Sequence, residues 1–163
     1  MHRILATVFL FAAPLAGHAS EPAGTPITSV VMEQTECFWG TCPHYLVAIN
    51  SDGSANYIGL SVAKKKGGVS LQIPPSAFDN IVREIERINY FGLRDSYATK
   101  ADGCEKIWSD QASVIFEVTR GDETKKVQLY YGCELPGVAE NLSHLAALVD
   151  SETGIAPLLG RDE

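Results

Sequence analysis

Apolar and polar positions alternate in six stretches of the chain, and in two others the period lengthens to that of a helix. From Ile27 the segment ITSVVMEQT is rich in β-branched residues and reads as a strand. HYLVAIN and SANYIGL flank the short turn SDG, the arrangement of a β-hairpin. GVSLQI then puts Val69, Leu71 and Ile73 on one face of a further strand. At Ser76 the period changes. In SAFDNIVREIERINYF, Phe78, Ile81, Val82, Ile85 and Ile88 fall on one side of a helix, with Asp79, Arg83, Glu84 and Arg87 on the other. Pro74 and Pro75 stop the preceding strand, and Ser76 followed by Asp79 has the form of an acidic capping box. ASVIFEVT and TKKVQLYYG flank RGDE and predict a second hairpin, with Val127, Leu129 and Tyr131 on a shared face. Val138, Leu142, Leu145 and Val149 then predict a second helix, beginning around Pro136.

A hairpin followed by a proline-started helix therefore occurs twice. Each helix has one apolar stripe and each hairpin one apolar face, so burying them together predicts a two-layer α+β domain. Its order is β-β-β-β-α-β-β-α, with an antiparallel sheet of about five or six strands and both helices packed on one face. The expected core holds Val69, Leu71, Phe78, Ile81, Val82, Ile85, Val114, Phe116, Val127, Leu129, Leu142 and Leu145. A single domain, residues 27–150, follows a flexible lead, 20–26, and precedes a C-terminal tail, 151–163.

Composition adds a destination. Residues 1–19, MHRILATVFLFAAPLAGHA, combine Arg3, an apolar run from Ile4 to Ala16 and small residues at Gly17 and Ala19, the layout of a secretory signal peptide. The run is shorter than the roughly 20 residues that cross a bilayer, and no later segment approaches that length, so no transmembrane segment is expected in the mature chain. Ser20 stands where a lipoprotein would need a cysteine. The expected location is exported, periplasmic or secreted. A formal net charge of −7 argues against a nucleic-acid partner, since phosphate neutralisation needs clustered Lys and Arg. The single basic run, KKKGG from Lys64, reads as a solvated turn.

All four cysteines, Cys37, Cys42, Cys104 and Cys133, follow the leader, and an even count in an oxidising compartment implies disulfides, with three pairings open. Thioredoxin-like sites activate a thiol at a helix N-terminus, whereas Cys42 is followed by Pro43 and a strand. A zinc set could draw on Cys37, Cys42 and His44, with Cys104, Cys133 or His144, but oxidation removes the thiolates that zinc needs. Staples are the reading that remains. A second hairpin turning at Gly121 and Asp122 sets Cys133 opposite Asp110, close enough to Cys104 to predict Cys37–Cys42 and Cys104–Cys133.

The stretch CFWGTCPHYLVAINSDGSANYIG, with FGLRDSY after the first helix, resembles a family of bacterial exported and lipoprotein domains of uncharacterised function. In that family a Cys-Phe-Gly-x-Cys-Pro-x-Tyr motif opens a hairpin. Cys37, Phe38, Gly40, Cys42, Pro43 and Tyr45 match it, with Trp39 as an inserted residue that widens the cysteine spacing. The resemblance runs from about Ile27 to Asp150. It implies a fold and a location and brings no activity.

Catalytic signatures are missing from the sequence: it has no G-x-S-x-G elbow, no H-E-x-x-H and no phosphate loop. His144 reads as a rim residue of the second helix and His44 as solvated. The long segment LRDSYATKADGCEKIWSDQ gathers Asp95, Tyr97, Asp102, Glu105, Trp108 and Asp110; long connections in compact domains tend to be functional or disordered, and a plain loop packed over the open end of the core is the first alternative to a binding site. These six form the candidate binding loop. Their oxygen spacing does not fit an EF-hand, and interleaved aromatic and polar groups suit a protein or glycan surface. The expected function is a non-enzymatic binding module for a protein or cell-envelope component, with no cofactor and no metal. The alternatives are a thiol-disulfide or metal-dependent enzyme using the Cys37–Cys42 loop, and a purely structural envelope component.

Overall fold

A computed structural model describes residues 24–160. The expected leader, most of the lead and the last three residues lie outside the described residues. Four strands, β1 (Ile27–Gln34), β2 (Tyr45–Asn50), β3 (Ser54–Gly59) and β4 (Gly67–Gln72), precede helix α1 (Pro75–Arg87). Then come β5 (Ser96–Tyr97), β6 (Lys106–Ile107), β7 (Ser113–Arg120), β8 (Glu123–Tyr130) and β9 (Cys133–Glu134), and finally α2 (Val138–Thr153) and α3 (Ala156–Leu159). Seven strands form one sheet in the order β4-β3-β2-β1-β7-β8-β5, and β6 pairs with β9 apart from it. No helix among the described residues is long and apolar enough to cross a membrane.

The period-2 pattern determines which side of the sheet is buried. Val30 and Met32 of β1, Val47 and Ile49 of β2, Tyr57 of β3, Val114, Phe116 and Val118 of β7, and Val127 and Leu129 of β8 are all inaccessible or nearly so. Against them lie Phe78, Ile81 and Ile85 of α1 and Leu142, Leu145 and Val149 of α2, in one cluster. The fold is thus the two-layer α+β arrangement, and the sheet is antiparallel except for β5, which runs parallel to β8. The sequence pattern does not anticipate β5, β6 or β9, because two residues are too few to show a period.

Local differences have physical reasons. Val69, Leu71 and Val82 are only partly buried, since β4 is a sheet edge and Val82 flanks the stripe of α1. The capping box at Ser76 does not form: the N-cap falls two residues earlier, at Pro74, with Pro75 in the first turn of α1, and no side chain caps it. Helix α2 is instead capped by Glu140, whose carboxylate accepts from the Gly137 N–H at 2.7 Å. It continues past Asp150 to Thr153, and Ile155 and Leu159 are buried beyond it.

Glu84 is the main departure from the expected helix face: it is buried, not solvated. Position 84 lies three residues after Ile81 and four before Ile88, on the margin of the apolar stripe, where α2 crosses. Arg87 donates to both Glu84 oxygens, Nε to Oε2 and Nη2 to Oε1, each at 2.7 Å. Arg87 also reaches Asn141 of α2 at 2.8 Å, and His144 Nδ1 lies 3.0 Å from Glu84 Oε1. His144 is therefore a rim residue with a partner. The Arg87 guanidinium holds the Glu84 carboxyl at about 2, well below the 4.5 of a free glutamate; burial opposes this and the His144 hydrogen bond adds to it. A carboxylate whose folded pKa is depressed stabilises fully above its unfolded pKa, and that stability is lost as pH falls from about 4.5 toward 2. Glu84→Gln is expected to lose on the order of 1.5–3 kcal/mol at neutral pH, the scale of hydrogen bonds to charged groups. Its unfolding free energy should also fall less steeply below pH 4.5 than that of the parent, measured by urea titration at stepped pH.

Candidate functional site

Strand directions divide the molecule into two ends. Gln34 of β1 pairs with Tyr45 of β2 and Val114 of β7, and Gly59 of β3 pairs with Gly67 of β4. The β1–β2 loop, the β3–β4 loop, the segment entering β7 and the segment leaving β8 therefore emerge together. Hydrogen bonds join them. Thr35 N–H donates to Ser113 O at 2.9 Å and Ser113 N–H to Thr35 Oγ1 at 2.8 Å. Tyr131 Oη donates to Gln34 Oε1 at 2.9 Å. Across the neighbouring loops, Ser61 Oγ donates to Glu36 Oε2 at 2.6 Å and His44 N–H to Ser61 O at 2.8 Å.

Both disulfides lie at this end. Cys37 is bonded to Cys42 and Cys104 to Cys133, the pairs that the hairpin register predicts. The register holds as far as Ser113 opposite Tyr130 and then shifts, so that Cys133 faces Ile107 rather than Asp110. Asp110 takes up the difference at φ 66°, in the left-handed region. Gly132 is required where the strands come closest, because a Cβ there would sit 2.0 Å from the Trp108 carbonyl oxygen.

The large hydrophobic side chains exposed among the described residues are Phe38, Trp39, Ile58, Leu60, Val62, Ile107 and Trp108. All seven belong to these loops or to the strand ends beside them. Phe38 and Trp39 are each 75% exposed and meet edge to face, with ring centroids 5.3 Å apart. Val62 is held at φ 64°, an unusual conformation for a β-branched residue, and the next residue, Ala63, is buried. Trp108 is fixed on two sides: Nε1 donates to Glu134 Oε1 at 2.6 Å, and Lys106 Nζ lies 3.5 Å above the ring.

The six residues of the candidate loop are not brought to one place. Tyr97 is buried in the core, and its oxygen accepts the Arg94 N–H at 2.9 Å. Asp102 organises a turn, its Oδ2 accepting from Ala98 N–H, Thr99 N–H, Thr99 Oγ1 and Ser96 Oγ. The Ala98 and Thr99 bonds hold its carboxyl below the usual range. Asp95 is exposed and pairs with Lys125 at 2.7 Å, on the flank of β8. Glu105, Trp108 and Asp110 are exposed at the loop end itself. The segment is also less irregular than its composition predicts, since it contains β5, β6 and a single 3-10 turn at Lys100–Asp102.

His44 is not simply solvated, because its Nε2 lies 3.0 Å from Glu33 Oε1 with both side chains partly covered. The sulfurs of the conceivable zinc set are bonded to one another, so neither Cys37 nor Cys42 offers a thiolate. Among the described residues, no group of three or more His, Cys, Asp or Glu is placed to hold a metal. At the opposite end of the sheet an open cleft of about 1070 Å³ lies between α1 and the β7–β8 turn. Its one cation, Arg120, is committed: it stacks on Phe91 at 3.8 Å and pairs with Glu123 at 2.6 Å.

The fold and this end define a one-sided α+β domain that displays apolar side chains from clustered loops, some of them closed by disulfides. More particularly, the chain belongs to the family described as a domain of unknown function, DUF6438, whose model matches residues 28–151. No curated protein matches it.

Proposed function

We propose that the chain is an exported, non-enzymatic binding module of the cell envelope, and that it takes a protein or other envelope component on its loop end. One observation carries the reading: the seven exposed large hydrophobic side chains share that end, while the outer faces of α1 and α2 carry none. Apolar side chains scattered singly over a surface need no explanation, but a cluster of them marks an interaction site. Trp and Phe are the residues enriched at the centres of interfaces. The two disulfides hold the β1–β2 loop and the segments entering β7 and leaving β8 in one arrangement before any partner arrives, which lowers the ordering cost of binding. The leader-like first nineteen residues and the even cysteine count support the location.

The test is chemical crosslinking in the native envelope of the source cell, comparing wild type with a Trp39→Ser, Trp108→Ser protein and with an Arg83→Ser protein altered on the outer face of α1. The tryptophan pair should reduce the adduct about thirtyfold, the effect of removing roughly 2 kcal/mol of hot-spot contact. The Arg83 protein should match wild type. Adducts of equal yield in all three proteins would remove the loop end from the account.

A further inference from the structure

The sheet has two unlike edges. One is closed by the two-residue β5, and the other is the six-residue β4, GGVSLQ. Sheet proteins usually protect an exposed edge with charges, proline or a bulge, because unpaired backbone groups template pairing with another chain. β4 has no charged residue and no proline, and its register with β3 runs unbroken from Ser54 opposite Gln72 to Gly59 opposite Gly67.

The ladder shows which groups are free. Ile73 N–H donates to Gly53 O at 2.9 Å and continues that register. In an antiparallel pair, residues alternate between bonding the neighbour and facing away, so Val69 and Leu71 bond β3 while Gly68, Ser70 and Gln72 aim N–H and C=O outward. All three outward residues are exposed. Val69 and Leu71 are partly buried at the margin of the core, on the helix side of the sheet.

We propose that β4 is a homodimerisation edge, in which two copies pair antiparallel about a twofold axis at Ser70 and join their sheets into one. In that register Ser70 faces Ser70 of the second copy, and Gly68 faces its Gln72, so every outward N–H and C=O of the three residues is used. Val69 then lies opposite the second copy's Leu71, and Leu71 opposite its Val69, which covers both half-exposed side chains with apolar neighbours. The lysines support this orientation over the parallel one. Parallel pairing would lay Lys64–Lys66 of each copy side by side, whereas the antiparallel register sets Lys66 against Pro74 and keeps the two runs apart. Because the partner strands run in opposite directions, the two loop ends point away from each other and stay free, so this inference does not depend on the function proposed for them.

Sedimentation velocity across a micromolar to millimolar concentration series tests it. The protein should move from monomer toward twice the monomer mass. Ser70→Pro removes an N–H that β3 does not use, a place where an edge strand tolerates proline, so it should fold and remain a monomer throughout. A Ser70→Cys protein should form a disulfide-linked dimer on oxidation, since Cα atoms of a hydrogen-bonded antiparallel pair lie about 5.5 Å apart, within disulfide range. Gln72→Cys, displaced from the axis, should not. A monomer at every concentration, a dimer that survives Ser70→Pro, or crosslinking of Gln72→Cys as efficient as that of Ser70→Cys would overturn the proposal.

Discussion

The Ile85→Ala protein is expected to unfold about 2–5 kcal/mol more readily than wild type, the range for removing a large aliphatic side chain from a core. Ile85 is 1% exposed, on the face of α1 that closes the helix layer over the sheet. The loss has two parts. Burial of the removed carbons is forfeited, and a cavity is left because the surrounding groups relax only in part. Here the walls of that cavity are the seven-stranded sheet on one side and α2, fixed to α1 through Glu84, Arg87 and Asn141, on the other. A rigid wall closes poorly, which favours the upper part of the range. Equilibrium urea unfolding measures the difference, and a loss within about 0.5 kcal/mol, as for surface changes, would contradict the packing described.

Removing the second disulfide should have an effect nearly as large. A Cys104→Ser, Cys133→Ser protein frees a loop of 29 residues' separation, and the chain-entropy model gives roughly 3–4 kcal/mol for a closure of that length. Both cysteines are 3% exposed, so the two serines would also place hydroxyls in a site built for sulfur. The β6–β9 pair is only two residues long and shares this anchor, with Ile107 opposite Cys133. Residues 104–112 should then become the first site of limited proteolysis, while the same protease should leave them intact in wild type. Equal stability of the two proteins, or unchanged cleavage, would show that the bridge does not hold the loop.

Much of this was legible in the sequence, and the parts that were not share a cause. The alternation in β1–β4, β7 and β8 and the stripe of α1 are statements about which face is buried, and burial is what periodicity records. The register of the second hairpin, read from its turn, led directly to the Cys104–Cys133 pair. Glu84 was misplaced because the period of α1 gives a face but not the path of α2 across it. Tyr97 and Asp102 appeared as surface chemistry because composition cannot separate an aromatic ring that enters the core, or a carboxylate that caps a turn, from one that faces solvent. Phe38 and Trp39 are the opposite case, aromatic residues that composition alone would place in a core but that are exposed. Neither lies in a periodic segment, so no pattern in the sequence records which way its ring faces.

The central claim is that the loop end, and no other surface, meets the partner. Position-specific photo-crosslinking in the native envelope tests it most directly, with the reactive side chain placed in turn at Trp39, Val62 and Trp108, at Asp122 in the turn of the far end, and at Glu117 on the outer face of the sheet. The account predicts an adduct of one common mass from the first three positions and none from the last two. Adducts from Asp122 or Glu117, with none from the loop positions, would contradict it.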